Sequence, residues 1–238
     1  MRILALDTAL PAVCACVLDS DATEPLAIET LPMERGHAEA LLPLIERVMG
    51  QVEGGFASVD RIAVTVGPGS FTGIRVAISA ARGFGVALGI HVVGVSTLAA
   101  FAAPLVLGPR PAGQKPGSHH QPEVIVSAID ARHGQVYLQA CSETGAILMA
   151  PTVLPLAEAL DKLPAGPLRI TGSAAPLLAI AAWSCHRAAE VEGEIAATPI
   201  LYVARLGMIA DPEGAPPRPL YLKAPDVKPP SPFRFGFA

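Results

Sequence analysis

The sequence predicts an α/β protein of two duplicated lobes, each a mixed sheet with helices. Three observations predict it. The order strand–strand–strand–helix–strand–helix runs through the first half and again through the second. The first strand of each half ends in an aspartate before a turn, "ILALDTA" at Asp7 and "IVSAIDAR" at Asp130. The strand after the first helix of each half ends in glycine and serine, "VTVGPGS" and "RITGS". A period this long marks duplicated domains rather than a solenoid. Of the 238 residues, 51% are hydrophobic and only 16% charged, which is ample for a core in each half.

The N-terminal lobe is read as residues 1–107. Apolar runs bounded by turn residues place strands at Arg2–Leu6, Val13–Leu18 and Pro25–Leu31. His37–Met49 repeats apolar residues at helical spacing, with Leu41, Leu42, Ile45, Val48 and Met49 on one side. Pro43 is expected to distort its first turns. A strand at Arg61–Val66, a helix at Phe71–Leu88, a strand at His91–Val95 and a helix at Thr97–Leu105 complete the lobe. Residues 108–122, "GPRPAGQKPGSHHQP", carry no periodicity and read as a loop or linker; the adjacent His119 and His120 are given no role. The C-terminal lobe, residues 123–210, has strands at Val124–Ile129, Gln135–Cys141, Ala146–Val153 and Leu168–Thr171. Its helices are Leu156–Leu163, Ser173–Trp183 and Thr198–Ala210. Residues 211–238 are a proline-rich tail expected to drape over the surface. Two lobes of this kind make the architecture shared by actin, sugar kinases and heat-shock proteins, the actin-like (ASKHA, ribonuclease H-like) fold. Ligands of such proteins are expected between the lobes.

Composition removes several functions. The net charge is −4 and Lys and Arg form no long run, which argues against a stand-alone nucleic-acid binder. "MRILALDTAL" carries Asp7 inside its apolar run and leads into a strand, so it does not read as a signal peptide. The window Val76–Val95 holds Arg82, His91 and four glycines and is rejected as a membrane span. Cys14 and Cys16 fall on one face of a strand and, with Cys141 and Cys185, show no metal-ligand spacing. They read as small buried hydrophobes of a reducing compartment, with the cytoplasm as the expected location.

The stretch "GPGSFTGIR", Gly67–Arg75, joins a strand to a helix. It is not a Walker A loop, because no Lys-Ser or Lys-Thr follows the last glycine. It is not GxGxxG either, because three residues separate Gly69 from Gly73. What remains is a tight corner with helix-start amides near Ser70–Gly73, where Ser70 or Thr72 can cap the helix. A structural corner and a bound anion both stay open; Asp7, Gly69, Ser70, Thr72 and Asp130 are the candidate anion or nucleotide contacts. The helix behind the corner carries only two charges, Arg75 and Arg82, seven apart on one face. One side shows Ile74, Ile78, Ala81, Gly85 and Leu88; the opposite side shows the small Val76, Ala80, Gly83 and Ala87. A helix apolar on both sides needs two covers, its own sheet and either another helix or another molecule. The two arginines pair with carboxylates across an interface on one reading, and snorkel from a central helix on the other.

The pieces "RILALDTA", "RGHAEALLPLIERVM", "DRIAVTVGPGSFTGIRVAISAARGFGVALGIHVVGVSTLAAFA", "AIDARHGQVY" and "PLYLK" stand in the order of the bacterial TsaB (YeaZ) family, which the chain resembles from residue 2 to about residue 223. The family usually shows Tyr-Leu-Arg near its end, where Lys223 stands here. The resemblance implies a part in making N6-threonylcarbamoyladenosine at position 37 of tRNAs that read ANN codons. It implies a non-catalytic paralogue of the transferase TsaD, associating with TsaD and the ATPase TsaE, and forming a homodimer when alone. The N-terminal lobe is then expected to dock through its helices, with His37, Leu41, Leu42, Ile45, Met49, Phe71, Arg75, Val76, Ala80, Arg82 and Gly83 at the interface. In the catalytic paralogue two metal-binding histidines, four apart, follow the corresponding strand; Ser96 and Ala100 occupy those places here. So no metal or cofactor is expected on this chain, with ATP and metal on the partner subunits and tRNA met through the complex. Kinases of the superfamily organise Mg²⁺ and phosphates with acids at the two hairpins, the places of Asp7 and Asp130. A hairpin-anchoring role is preferred for both. The competing reading is an actin-like ATPase or small-molecule kinase. A peptidase lacks support, since neither a Ser–His–Asp arrangement nor HExxH is present.

Overall fold

The computed structural model describes residues 1–108, 123–193 and 197–223. The expected linker beyond Gly108, with His119 and His120, and the tail beyond Lys223 lie outside the described residues.

The first sheet is built from β1 (Arg2–Asp7), β2 (Ala12–Asp19), β3 (Ala27–Pro32), β4 (Arg61–Gly67) and β5 (His91–Ser96). Its order is β3-β2-β1-β4-β5. β1, β2 and β3 pair antiparallel, whereas β4 and β5 add in parallel. The second sheet is built from β6 (Val124–Asp130), β7 (Gln135–Ser142), β8 (Ile147–Pro155), β9 (Leu168–Thr171) and β10 (Ala189–Val191). Its order β10-β9-β6-β7-β8 and its mix of parallel and antiparallel pairs repeat those of the first. The duplicated architecture expected from the sequence is therefore present.

Each parallel step needs a crossover helix. In the first lobe these are α1 (His37–Met49) and α2 (Phe71–Leu88); in the second they are α4 (Leu156–Lys162) and α5 (Ala175–Ser184). α1 runs through Pro43, which sits on its exposed side. α2 starts at Ser70, whose Oγ accepts the Gly73 N–H at 3.2 Å, and stops at the left-handed Gly89. One side of each sheet is covered by its own crossover helices. Leu41, Leu44, Ile45, Val48 and Met49 of α1 and Ile74, Ala77, Ile78 and Ala81 of α2 pack on Leu4, Leu6, Val13, Val64 and their neighbours. At about 1.5–3 kcal/mol per fully buried aliphatic side chain, this layer dominates the lobe's stability.

The other sides are covered by an exchange. α3 (Thr97–Leu107) leaves the first sheet and packs on β6 and β7. α6 (Ile200–Ile209) follows the second sheet in sequence but packs on β1, β2, β4 and β5 of the first. Ile200, Val203 and Ala204 fill the space over Ala5, Cys14, Cys16 and Ala63, where the small strand residues admit the helix closely. The C-terminal carbonyls of α6 are taken up by one guanidinium: Arg61 donates to Gly207 O (3.0 Å), Met208 O (3.2 Å) and Ala210 O (2.9 Å). A cation there also meets the negative end of the helix dipole.

Residues 211–222 return over the first lobe. The Gly94 N–H donates to Ala215 O at 2.8 Å and the Leu220 N–H to Val66 O at 2.7 Å. Leu220 joins the first core, and Leu222 packs with Leu10, Leu98 and Ile129 where the two lobes meet.

Candidate docking face and the glycine corner

The corner between β4 and α2 is filled by the chain itself. A Cβ on Gly69 would overlap the Ala9 carbonyl, and one on Gly73 would overlap the Thr8 carbonyl. The Ser70 N–H donates to Ala9 O at 2.7 Å, and Thr8 Oγ1 donates to Gly73 O at 2.6 Å. The glycines thus let α2 start directly against the exit of β1. Gly67, the last residue of β4, and Gly172, just past β9, share a left-handed φ of 103° and 108°. Thr72 is exposed.

The two hairpin aspartates share one local geometry. Each accepts the amide two residues on, Asp7 Oδ1 from the Ala9 N–H at 3.1 Å and Asp130 Oδ1 from the Arg132 N–H at 2.8 Å. This is the Asx-turn that anchors a tight hairpin. Their surroundings differ. Asp7 is fully buried, while Asp130 is exposed. They therefore do not present two carboxylates to one open cleft, and the residues here do not fit a magnesium nucleotide held between hairpins. At the start of α3, Ser96 offers one hydroxyl and Ala100 no donor, so that place does not fit a metal either. Among the described residues no group of three His, Cys, Asp or Glu stands together.

The outward side of α2 carries the most exposed large apolar side chain among the described residues. Val86 is 86% exposed. Arg75, Ser79, Arg82, Gly83 and Ala87 are also exposed, and Val76 and Ala80 are half-buried. Nothing lies within 4 Å of a Cβ built on Gly83. Leu42, on the neighbouring α1, is 57% exposed. Leu41, Ile45 and Met49 are instead buried in the chain's own core, which corrects the sequence reading of that helix. They share the inward phase of α1 with Leu44 and Val48, and Leu42 is turned away from it. His37 is half-buried, with Nε2 3.0 Å from Leu10 O. By length and composition α2 is the one described helix apolar enough to cross a bilayer, yet its inner face is sealed against the sheet.

The two arginines of α2 hold the returning segment. Arg75 lies over the Phe71 ring, 3.9 Å from its centroid, and donates to Tyr221 Oη at 2.7 Å. Phe71 and Tyr221 stack with centroids 4.9 Å apart. Arg82 donates to Pro217 O at 2.7 Å. The sequence showed neither Tyr221 nor Pro217 as their partners, and it passed over Val86. For Val86 the signal was available: residues 76, 79, 83 and 86 fall on one stripe of a helix.

Two lobes with the same five-strand order, an exchange of helices between them and an Asx-turned aspartate at each hairpin define an actin-like (ASKHA) protein. The family model described as TsaD, tRNA N6-adenosine threonylcarbamoyltransferase, matches residues 31–181. The chain is 35% identical over 137 residues to the tRNA threonylcarbamoyladenosine biosynthesis protein TsaB of Escherichia coli, covering 58% of this chain and 53% of that protein. The match thus spans about half the length of that curated relative. An uncharacterised protein of Mycobacterium tuberculosis is 31% identical over 227 residues, 95% of this chain and 94% of its own. A Pseudomonas aeruginosa crystal structure, described as similar to the peptidase YeaZ, superposes with a TM-score of 0.67 at 25% identity, over 93% of this chain and 99% of that one. The ROK hexokinase of Thermus thermophilus, at TM-score 0.52 and 15% identity over 88% of this chain and 99% of its own, shows the fold alone. The chain belongs to the TsaB (YeaZ) family; its relatives in Escherichia coli and Haemophilus influenzae are named tRNA threonylcarbamoyladenosine biosynthesis protein TsaB.

Proposed function

We propose that this chain is a non-catalytic subunit required for N6-threonylcarbamoyladenosine modification at position 37 of tRNAs that read ANN codons. It binds a TsaD-type transferase and holds it in its active form; a TsaE-type ATPase joins the assembly, and tRNA is met through the complex. The observation that carries this reading is the outward face of α2. Val86, Gly83 and Ala87 form a small-residue apolar surface along α2 that this chain's described residues leave exposed. Small residues let a partner helix approach closely, and the charged groups at the rim, Arg75 and Arg82, are already engaged within the chain. Free of a partner, two copies use the same face on each other.

The chain supplies no cofactor chemistry of its own on this reading. Asp7 is sealed in the core and Ser96 and Ala100 replace an imidazole pair, so ATP and metal are the partners'. The cytoplasm is the compartment that fits an RNA-modifying assembly and four free cysteines. Reconstitution of the modification with TsaD and TsaE, with and without this chain, tests the proposal. Modified tRNA is expected only when this chain is present, and none from this chain alone with threonylcarbamoyl-adenylate. Full modification without it, or turnover by it alone, overturns the reading.

A further inference from the structure

α5 joins β9 to β10 in the second lobe as α2 joins β4 to β5 in the first. Its sequence, "APLLAIAAWS", contains no charged residue. Leu178, Ala179 and Ala182 face the second core. On the outward side Leu177 is 52% exposed, Ile180 59% and Trp183 55%, each three residues from the next. α1 and α2 leave one large apolar side chain each so exposed, Leu42 and Val86. A helix apolar all round is ordinarily covered on both sides. Trp183 is also held in place, since its Nε1 donates to Ala189 O at 2.9 Å. Its polar atom is engaged within the chain while half of the side chain meets solvent.

The described chain ends beside this helix. Leu222 packs with Ile129 near the end of β6, and Lys223 Nζ donates to Ala131 O at 3.4 Å. Next to Ala131, the Asp130 N–H donates to Ser173 Oγ at 2.9 Å, and the Ala174 N–H donates to Ala128 O at 3.0 Å. Ser173 and Ala174 lead directly into α5. Lys223 thus stands near the start of α5.

The sequence continues as "APDVKPPSPFRFGFA", residues 224–238. Phe233, Phe235 and Phe237 alternate there with Arg234, Gly236 and Ala238. In an extended segment this alternation puts three rings on one side, about 6.6 Å apart. Leu177 to Trp183 spans about 9 Å along the helix axis, so two or three rings match the exposed stripe. The nine residues before Phe233 include four prolines. At the polyproline rise they reach about 28 Å, beyond the roughly 15 Å length of α5. Prolines also reduce the conformational entropy lost on docking.

We propose that residues 233–237 of this same chain dock on the outward face of α5, with their phenylalanine rings against Leu177, Ile180 and Trp183. A short tether gives its segment an effective concentration in about the millimolar range, which favours the chain's own tail over a second copy. The tail then closes on the second lobe the helix face whose counterpart, on α2, is left to a partner. The inference itself does not rest on the role in tRNA modification.

Trp183 is the one tryptophan of the chain, so its fluorescence reports on this face alone. The full chain is compared with the variant Phe233→Ser/Phe235→Ser/Phe237→Ser, which alters no described residue. Wild-type emission is expected at shorter wavelength, with acrylamide quenching about twofold weaker, because the rings cover a side chain that is otherwise 55% exposed. Equal emission and equal quenching overturn the proposal. The same three tail substitutions in a Leu177→Ser/Ile180→Ser background should change quenching much less than in wild type; an equal change in both backgrounds contradicts docking on this stripe. Protection of Trp183 should be independent of protein concentration. Protection that appears only as dimers form in sedimentation assigns the face to a second copy and overturns the proposal. None of these readouts involves a TsaD-type partner, so failure here and failure of the α2 docking face are told apart.

Discussion

Arg75 and Tyr221 lie 146 positions apart in sequence, yet the guanidinium Nε donates to the phenolic oxygen at 2.7 Å. Phe71 completes the contact, stacked on the tyrosine and covered by the arginine. The start of α2 and the returning C-terminal segment are thereby one unit. The exposed Arg75 is thus engaged by its own chain.

Tyr221→Ala should therefore loosen residues 215–220 without unfolding the lobe. An aromatic pair contributes about 0.5–1.5 kcal/mol beyond its area, so a loss of about 1 kcal/mol is expected in urea denaturation. Faster hydrogen exchange at the Gly94 and Leu220 amides, which bond to and from that segment, is the local check. Unchanged exchange at both would show that the clamp does not hold the segment.

The glycines of the corner and of the helix should respond in opposite directions. Gly73→Ala forces a methyl into the Thr8 carbonyl and is expected to cost about 1–3 kcal/mol or more. Gly83→Ala meets open space on a helix and should stabilise the isolated chain by about 0.4–1 kcal/mol. Thermal unfolding of the two single variants checks both signs.

Thiol chemistry should divide the four cysteines. Burial holds Cys14 and Cys16 up to about 12 and raises Cys141, while Cys185 is exposed. A thiol below its raised pKa stays protonated and unreactive, so mildly alkaline reagent should modify Cys185 quickly and the other three only on unfolding. Rapid modification of Cys14 or Cys16 in the native state would contradict the placement of α6 over β2.

Much of the fold was legible because its signals are local. Apolar runs, the helical period of His37–Met49 and the repeated aspartate and glycine turns are each contained in a few residues. β10 was not legible: it is three residues long at a sheet edge, with Glu190 exposed, and carries no period. The path of α6 was hidden for a different reason, since nothing within Ile200–Ile209 says which of two similar sheets it covers. In α1 the apolar spacing is legible, but it does not by itself separate Leu42 from Leu41. Adjacent residues on a helix are turned about 100° apart, enough to put one in the core and the other in solvent. The long-range partners of Arg75 and Arg82 had no local signature at all.

The central claim is that the outward face of α2 is a docking surface. The most direct measurement is the binding of a TsaD-type partner by calorimetry, using Val86→Asp beside wild type. Val86 is 86% exposed, so the substitution should leave the chain's own thermal unfolding unchanged within about 0.5 kcal/mol. Binding is expected to fall at least tenfold while the fold is kept. Wild-type affinity in a well-folded Val86→Asp chain would contradict it.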